Sequence, residues 1–187
     1  MEAPKLMYLY LEDFTELQFR GSSTPLLPCL YATQIDTSET GGSYDSLIRL
    51  LTQISNMKEM CLYYRTLEFL AGGDDVRRLV FPNLSQLTIQ PTESCSSWIL
   101  HSLLHSSPKL QSLDIQMGFS NGPMMWEEIE LTRTLQCLQS SLEEIEINGF
   151  VPFENDVKMV GNLINAGVVL KNVDIIVFRN PTKEQRK

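Results

Sequence analysis

Basic residues are scarce in this sequence: 15 lysines and arginines stand against 23 aspartates and glutamates, a net charge of −8. Such a chain repels nucleic-acid phosphates and anionic lipid, so neither nucleic acid nor membrane is an expected partner. No run approaches the roughly 18 uninterrupted apolar residues of a membrane span, and the opening Met-Glu-Ala-Pro-Lys leads into no leader-like apolar stretch. A cytoplasmic or nuclear protein is expected. Cysteine is sparse and scattered. Cys29, Cys61, Cys95 and Cys137 lie 32, 34 and 42 residues apart, whereas zinc sites pair ligands a few residues from each other. Reduced thiols and no metal are therefore expected. Also missing are a Gly-rich phosphate cradle before a lysine, a nucleophile elbow and a His-centred triad. The chain does not read as an enzyme and needs no cofactor.

What the sequence does contain is a repeated pattern, apolar-x-x-apolar-x-apolar, found seven times. Its copies are Leu6, Leu9, Leu11; Leu30, Thr33, Ile35; Met57, Met60, Leu62; Leu84, Leu87, Ile89; Leu110, Leu113, Ile115; Leu142, Ile145, Ile147; and Leu170, Val173, Ile175. First positions recur after 24, 27, 27, 26, 32 and 28 residues, close to the period of leucine-rich repeats. The last two apolar positions of each copy are two apart, so in a strand they share one face. Helical periodicity intervenes, as in Tyr44 to Ile54, in Trp98, Ile99, Leu103 and Leu104, and in Val157 to Ala166, with Asp156 placed to cap the last of these and Gly167 to end it.

Units of this kind bury their apolar sides only by stacking. The expected fold is α/β: an irregular leucine-rich-repeat solenoid, with a parallel sheet on the concave face and helices and irregular returns on the convex face. The Asn or Cys usual eight positions after the first leucine is replaced by Phe14, Ser38, Arg65, Thr92, Gly118, Phe150 and Phe178. The backbone ladder that residue satisfies should be missing and the returns variable.

Specific stretches carry a resemblance. Phe81-Pro82-Asn83-Leu84, Trp98 with Leu103-Leu104, and Ser107-Pro108-Lys109-Leu110-Gln111-Ser112-Leu113 resemble repeats of plant F-box/FBD/LRR proteins. Cys137 to Phe150, the helix to Ala166 and Val169-Leu170-Lys171-Asn172-Val173 look like the FBD region of that family, and Ala3-Pro4-Lys5-Leu6 resembles the start of one of its mid-chain repeats. The resemblance implies repeats over residues 1–132 and an FBD-like part over 133–187, continuous with the same solenoid. It implies a substrate-recognition module of ubiquitin-ligase type. Since the 187 residues begin with a repeat strand and hold no F-box, binding to the ligase adaptor is not expected of them. A truncated or competitive fragment is the alternative.

The outward positions of the seven strands should line the concave face. Seven of these 21 positions are acidic and none is Lys or Arg, against about 2.6 acidic residues from composition alone. A basic protein or peptide is the expected partner, met by Glu12, Asp36, Glu59, Asp114, Glu144, Glu146 and Asp174, with Tyr8, Tyr10 and Tyr63 as aromatic anchors. A plain solvated sheet face is the competing expectation. His101 and His105, four apart, and Gly72-Gly73-Asp74-Asp75 are the remaining places for chemistry, and they would suit a metal-dependent hydrolase. The first pair lacks further ligands nearby in sequence, and the second reads as a helix stop and turn.

Overall fold

The computed structural model describes residues 7–12, 32–36, 44–92, 95, 97–117 and 135–177. For Glu12, Ala32, Thr33, Gln34, Asp36, Asp74, Asp75 and Ser97 it describes the backbone alone. Leu6, Phe14, Cys29, Leu30, Ser38, Gly118 and Phe178 lie outside the described residues.

All seven expected strands are present: β1 (Tyr8–Glu12), β2 (Ala32–Asp36), β3 (Glu59–Leu62), β4 (Gln86–Ile89), β5 (Ser112–Gln116), β6 (Glu144–Phe150) and β7 (Asn172–Val177). They form one sheet in sequence order, every neighbouring pair parallel. Because side chains alternate with period two, a slip of one residue would turn each apolar pair outward. The register avoids this throughout. Leu9, Thr33, Met60, Leu87, Leu113, Ile145 and Val173 fall in one cross-strand row, and Leu11, Ile35, Leu62, Ile89, Ile115, Ile147 and Ile175 in another. The repeat positions of the sequence are thus neighbours in space.

Both rows are buried in the middle and open towards the ends. Met60, Leu62, Leu87, Ile89, Leu113, Ile115, Ile145 and Ile147 are buried, while Leu9, Leu11 and Val173 are half-buried and Ile175 is 40% exposed. The first triplet positions Met57, Leu84, Leu110 and Leu142 are buried as well. One continuous core runs along the sheet, closed on its other side by the returns. These contain α1 (Tyr44–Gln53), α2 (Tyr64–Ala71) followed by a short 3-10 helix (Asp74–Arg78), α3 (Ser97–Ser106), α4 (Gln136–Ser140) and α5 (Glu154–Ala166). They contribute Leu47, Leu51, Leu67, Leu70, Leu103, Leu138 and Leu163 to the core.

A backbone ladder does join the units, at a place other than the position usual for Asn. The carbonyl of Lys58 accepts the N–H groups of Ser85 and Gln86 at 2.8 and 3.0 Å, and that of Ser85 accepts Gln111 and Ser112 at the same distances. The carbonyl of Gln111 takes Glu143 and Glu144 at 2.9 and 3.0 Å, and that of Glu143 takes Lys171 and Asn172 at 2.8 and 3.1 Å. Each of the strands β4 to β7 is therefore clamped to its predecessor at its point of entry. The buried hydroxyl of Thr66 adds a bond to the Ile35 carbonyl 3.0 Å away, and the Cys137 thiol one to the Leu104 carbonyl at 3.3 Å. Buried backbone oxygens of the stack thus gain partners without the expected Asn.

One helix differs from its sequence reading. α5 begins at Glu154, three residues before Val157, and its N-cap is Phe153, with no side-chain cap bond. Asp156 consequently lies within the first turn, buried, and does not cap it. Its position there is still favourable for a carboxylate, near the positive end of the helix. Gly167 does end the helix, its N–H bonding the Leu163 carbonyl. Its backbone is extended, with φ −75° and ψ 117°, so what favours glycine is space: a Cβ would lie 2.3 Å from Cδ1 of Leu170.

Candidate functional site: the polar strand face

All-parallel sheets usually have both faces covered. Here the face opposite the core is polar, and Gln86, Glu144 and Glu146 on it are exposed. Parallel register sorts its side chains into rows, about 4.8 Å from strand to strand. The first row is Tyr8, Ala32, Glu59, Gln86, Ser112, Glu144 and Asn172; the second is Tyr10, Gln34, Cys61, Thr88, Asp114, Glu146 and Asp174. A third row places Gln116 beside Asn148 and Ile176.

Four of the seven expected acidic residues lie on β5 to β7. Asp114, Glu146 and Asp174 are direct neighbours in one row, and Glu144 begins the strand that carries Glu146. Like charges opposite one another on adjacent strands repel. Side-chain amides offset this. Asn148 Nδ2 donates to Asp114 Oδ1 at 3.2 Å and to Glu146 Oε1 at 2.8 Å, so one amide bridges two carboxylates. Gln116 Nε2 donates to Asp114 Oδ2 at 2.9 Å while its Oε1 accepts from Gln90 Nε2 at 2.9 Å, and Asn172 Nδ2 donates to Asp174 Oδ2 at 2.7 Å. The carboxylates are held in place by uncharged amides.

Gln90, Gln116 and Asn148 are the residues a charge-based reading passes over. Each is uncharged and its partners lie up to 34 residues away in sequence. The signal available beforehand was the recurrence of amides at the outward position following the last apolar residue of three successive repeats.

At the other end of the face, Tyr8 and Tyr10 are 65% and 57% exposed, two apart on β1 and on the same side. Tyr63 stands at the N-cap of α2 and hydrogen-bonds Cys61. Burial is the main reason the Cys61 thiol is pushed up to about 11, opposed by that bond and assisted by the Asp114 charge. Glu59 and Asp114 are half-buried, and Asp174 is exposed. Glu12 and Asp36 pair across β1 and β2 in register. Their side chains lie outside the described residues. Of the acidic candidates, Asp114, Glu144, Glu146 and Asp174 therefore lie on β5 to β7, while Glu12, Asp36 and Glu59 lie on β1 to β3, at the end that also holds Tyr8, Tyr10 and Tyr63.

The two other places for chemistry are separate from this face. His101 and His105 stack on α3 with ring centroids 6.4 Å apart. The His101 pKa is lowered by burial first and then by the charges of His105 and Arg77. Arg77 also sits over the Trp98 ring at 5.6 Å. A cation beside the pair weighs against metal binding. The Gly72–Asp75 stretch is a helix stop, as expected: Gly72 caps α2 and the 3-10 helix starts at Asp74. Among the described residues no group of three or more His, Cys, Asp or Glu is placed to hold a metal, and no helix is long and apolar enough to cross a membrane. Cys61, Cys95 and Cys137 are free thiols, the latter two buried.

With this geometry in hand, comparison with known proteins is decisive about family. Residues 42–157 match the family model of the leucine-rich repeats of FBD-associated F-box protein At5g56370. The chain belongs to this F-box/FBD leucine-rich-repeat family. The matched span contains β3 to β6 and crosses the expected boundary at 132/133. Among individual relatives, F-box/FBD/LRR-repeat protein At2g26030 of Arabidopsis thaliana is 31% identical over 92% of this chain and 41% of its own length. F-box/FBD/LRR-repeat protein At5g22660 of the same plant is 26% identical over 79% of this chain and 34% of its own length. The chain spans between 28% and 41% of the curated relatives it matches. No solved structure matches. For a leucine-rich-repeat protein of this family, an α/β fold with one parallel sheet and a role in protein interaction follow.

Proposed function

We propose that these repeats form a solenoid whose polar strand face is concave and binds a basic protein, the substrate of a ubiquitin ligase of F-box type. The observation that carries the reading is the in-register row Asp114, Glu146, Asp174, on a face whose strand positions include no Lys or Arg. Such a surface steers a cationic partner towards it and rejects anionic ones. Tyr8, Tyr10 and Tyr63 supply amphipathic contact area at the opposite end. In this reading β6 and β7 are the FBD-like part, continuing the same stack, and the chain works by binding and not by catalysis.

The test is fluorescence anisotropy with a flexible lysine- and arginine-rich peptide on the full chain. Reversal of Glu144 and Glu146 to lysine should abolish binding and remove its dependence on ionic strength; unchanged affinity would refute the reading. Because the matched family model covers repeats alone, a competitor that occupies the partner without recruiting a ligase is a second reading. Co-purification with the ligase adaptor separates the two.

A further inference from the structure

Asn148 and Gly149 form an Asn-Gly pair. In such a pair the side-chain amide is open to attack by its own main chain, because the following residue has no Cβ to shield its nitrogen. Asparagine counts among the thermolabile residues. In β6 the pair sits where the strand departs from regular pairing: Asn148 faces Ile176 and Phe150 faces Val177, so Gly149 has no counterpart on β7. Its φ of 73° lies in the left-handed region, as in a bulge built on glycine. Both residues are half-buried.

The amide stands between two carboxylates. Asn148 Nδ2 lies 3.2 Å from Asp114 Oδ1 and 2.8 Å from Glu146 Oε1. A carboxylate only accepts, so the nitrogen of the amide and not its oxygen must face them. Deamidation makes that nitrogen the leaving group. The Gly149 nitrogen bonds to Asn148 Cγ, the Cγ–Nδ2 bond breaks, and the proton lost by Gly149 completes ammonia. Water then opens the cyclic imide, giving aspartate when the new bond to Cγ breaks and isoaspartate when the main-chain carbonyl parts from the Gly149 nitrogen. As Nδ2 departs it takes up protons and with them positive charge, and two carboxylates are already in place to stabilise that charge. We propose that Asn148 is a deamidation site of the folded chain, with Asp114 and Glu146 stabilising the nitrogen that leaves as ammonium. The product sets a further negative charge beside those two carboxylates, and as isoaspartate it also adds an atom to the β6 main chain. Conversion withdraws the bridge between Asp114 and Glu146 and changes the polar face in one direction only. Its effect on a cationic partner rests on the polar-face reading above; the reaction itself does not.

The experiment incubates the full chain at neutral pH, folded and in urea, and follows each asparagine by peptide mapping with mass spectrometry that separates aspartate from isoaspartate. A second Asn-Gly pair, Asn121-Gly122, lies outside the described residues and serves as a reference within the same molecule. The expected result is conversion at Asn148 in the folded chain, slowed several-fold in Glu146→Gln and in Asp114→Asn while the rate at Asn121 stays the same. Once urea unfolds the parent and the two variants, all three should convert Asn148 at one rate. Glu146 is exposed, so Glu146→Gln keeps its shape and removes only the charge, and the unmodified chain decides the first point whatever the variants do. An intact amide at Asn148 in the folded chain, over the time in which the unfolded chain converts, overturns the proposal. Equal rates at Asn148 in the folded parent, Glu146→Gln and Asp114→Asn overturn it as well, since the carboxylates then play no part in the departure of the nitrogen.

Discussion

A methyl group on residue 73 would lie 2.2 Å from Cζ of Tyr44, and Gly73 has ordinary extended backbone, so contact and not backbone freedom selects glycine there. Gly73→Ala must push the Tyr44 ring aside and should cost about 1–3 kcal/mol, the usual penalty of overpacking. Gly161 is the control. Nothing lies within 4 Å of its virtual Cβ inside α5, and Gly161→Ala should be neutral or stabilise by up to about 1 kcal/mol through helix propensity. Urea denaturation of both variants checks the pair, and equal behaviour would contradict the packing argument. The buried thiols make a pH prediction. Burial is the main factor pushing Cys95 up to about 12 and Cys137 up to about 11, from 9.0. The folded chain then holds protons that the unfolded chain releases above pH 9, so their contribution to stability is complete below that pH and declines as pH climbs towards 11 and 12. The fall in the urea midpoint over this range should be shallower in the double variant Cys95→Ala, Cys137→Ala than in the parent.

Strands of four to seven residues are too short to hold together alone, and burial along the two apolar rows measures what each gains from its neighbours. Ile147 and Ile175 occupy the same row one strand apart, yet the first is fully buried and the second 40% exposed. Truncating Ile147 to alanine should cost about 2–5 kcal/mol, as for a closed core site, and truncating Ile175 well under half as much. Thermal denaturation of the two variants tests this, and equal losses would mean that β7 is covered in solution. This element-level order was legible in advance because period-two alternation fixes which side chains share a face, and because the apolar triplet recurs in all seven units. Thr33, the one polar residue at a triplet position, did not disturb the register. Less legible was the start of α5, where Asp156 has the chemistry of a cap but lies inside the first turn. The links between strands were hidden for another reason: Thr66 to Ile35 and Asn148 to Asp114 join residues 31 and 34 apart, and no local pattern encodes such pairs. The acidic row was readable, and the amides that hold it were not.

Across the whole molecule, each strand pairs only with its sequence neighbours. Stability in such a stack is close to a sum of unit and interface contributions, so opening should begin at the ends. Amide hydrogen exchange is expected to be slowest in β4, β5 and β6 and faster in β1 and β7; uniform protection would count against a stack of semi-independent units. The net charge acts at this scale too. Added salt should raise the urea midpoint, since it screens repulsion that is concentrated on one face.

The paired amide bonds at Lys58, Ser85, Gln111 and Glu143 have a consequence for how such a chain can change over generations. They anchor the entrance to a strand, whereas the stretch that leads back behind the sheet already ranges from a five-residue helix to one of 13. A gain or loss of residues in that stretch leaves every row on the polar face aligned. The same change between anchor and strand would turn one unit inside out. Drift in length should therefore collect behind the sheet, and the polar face can alter one side chain at a time.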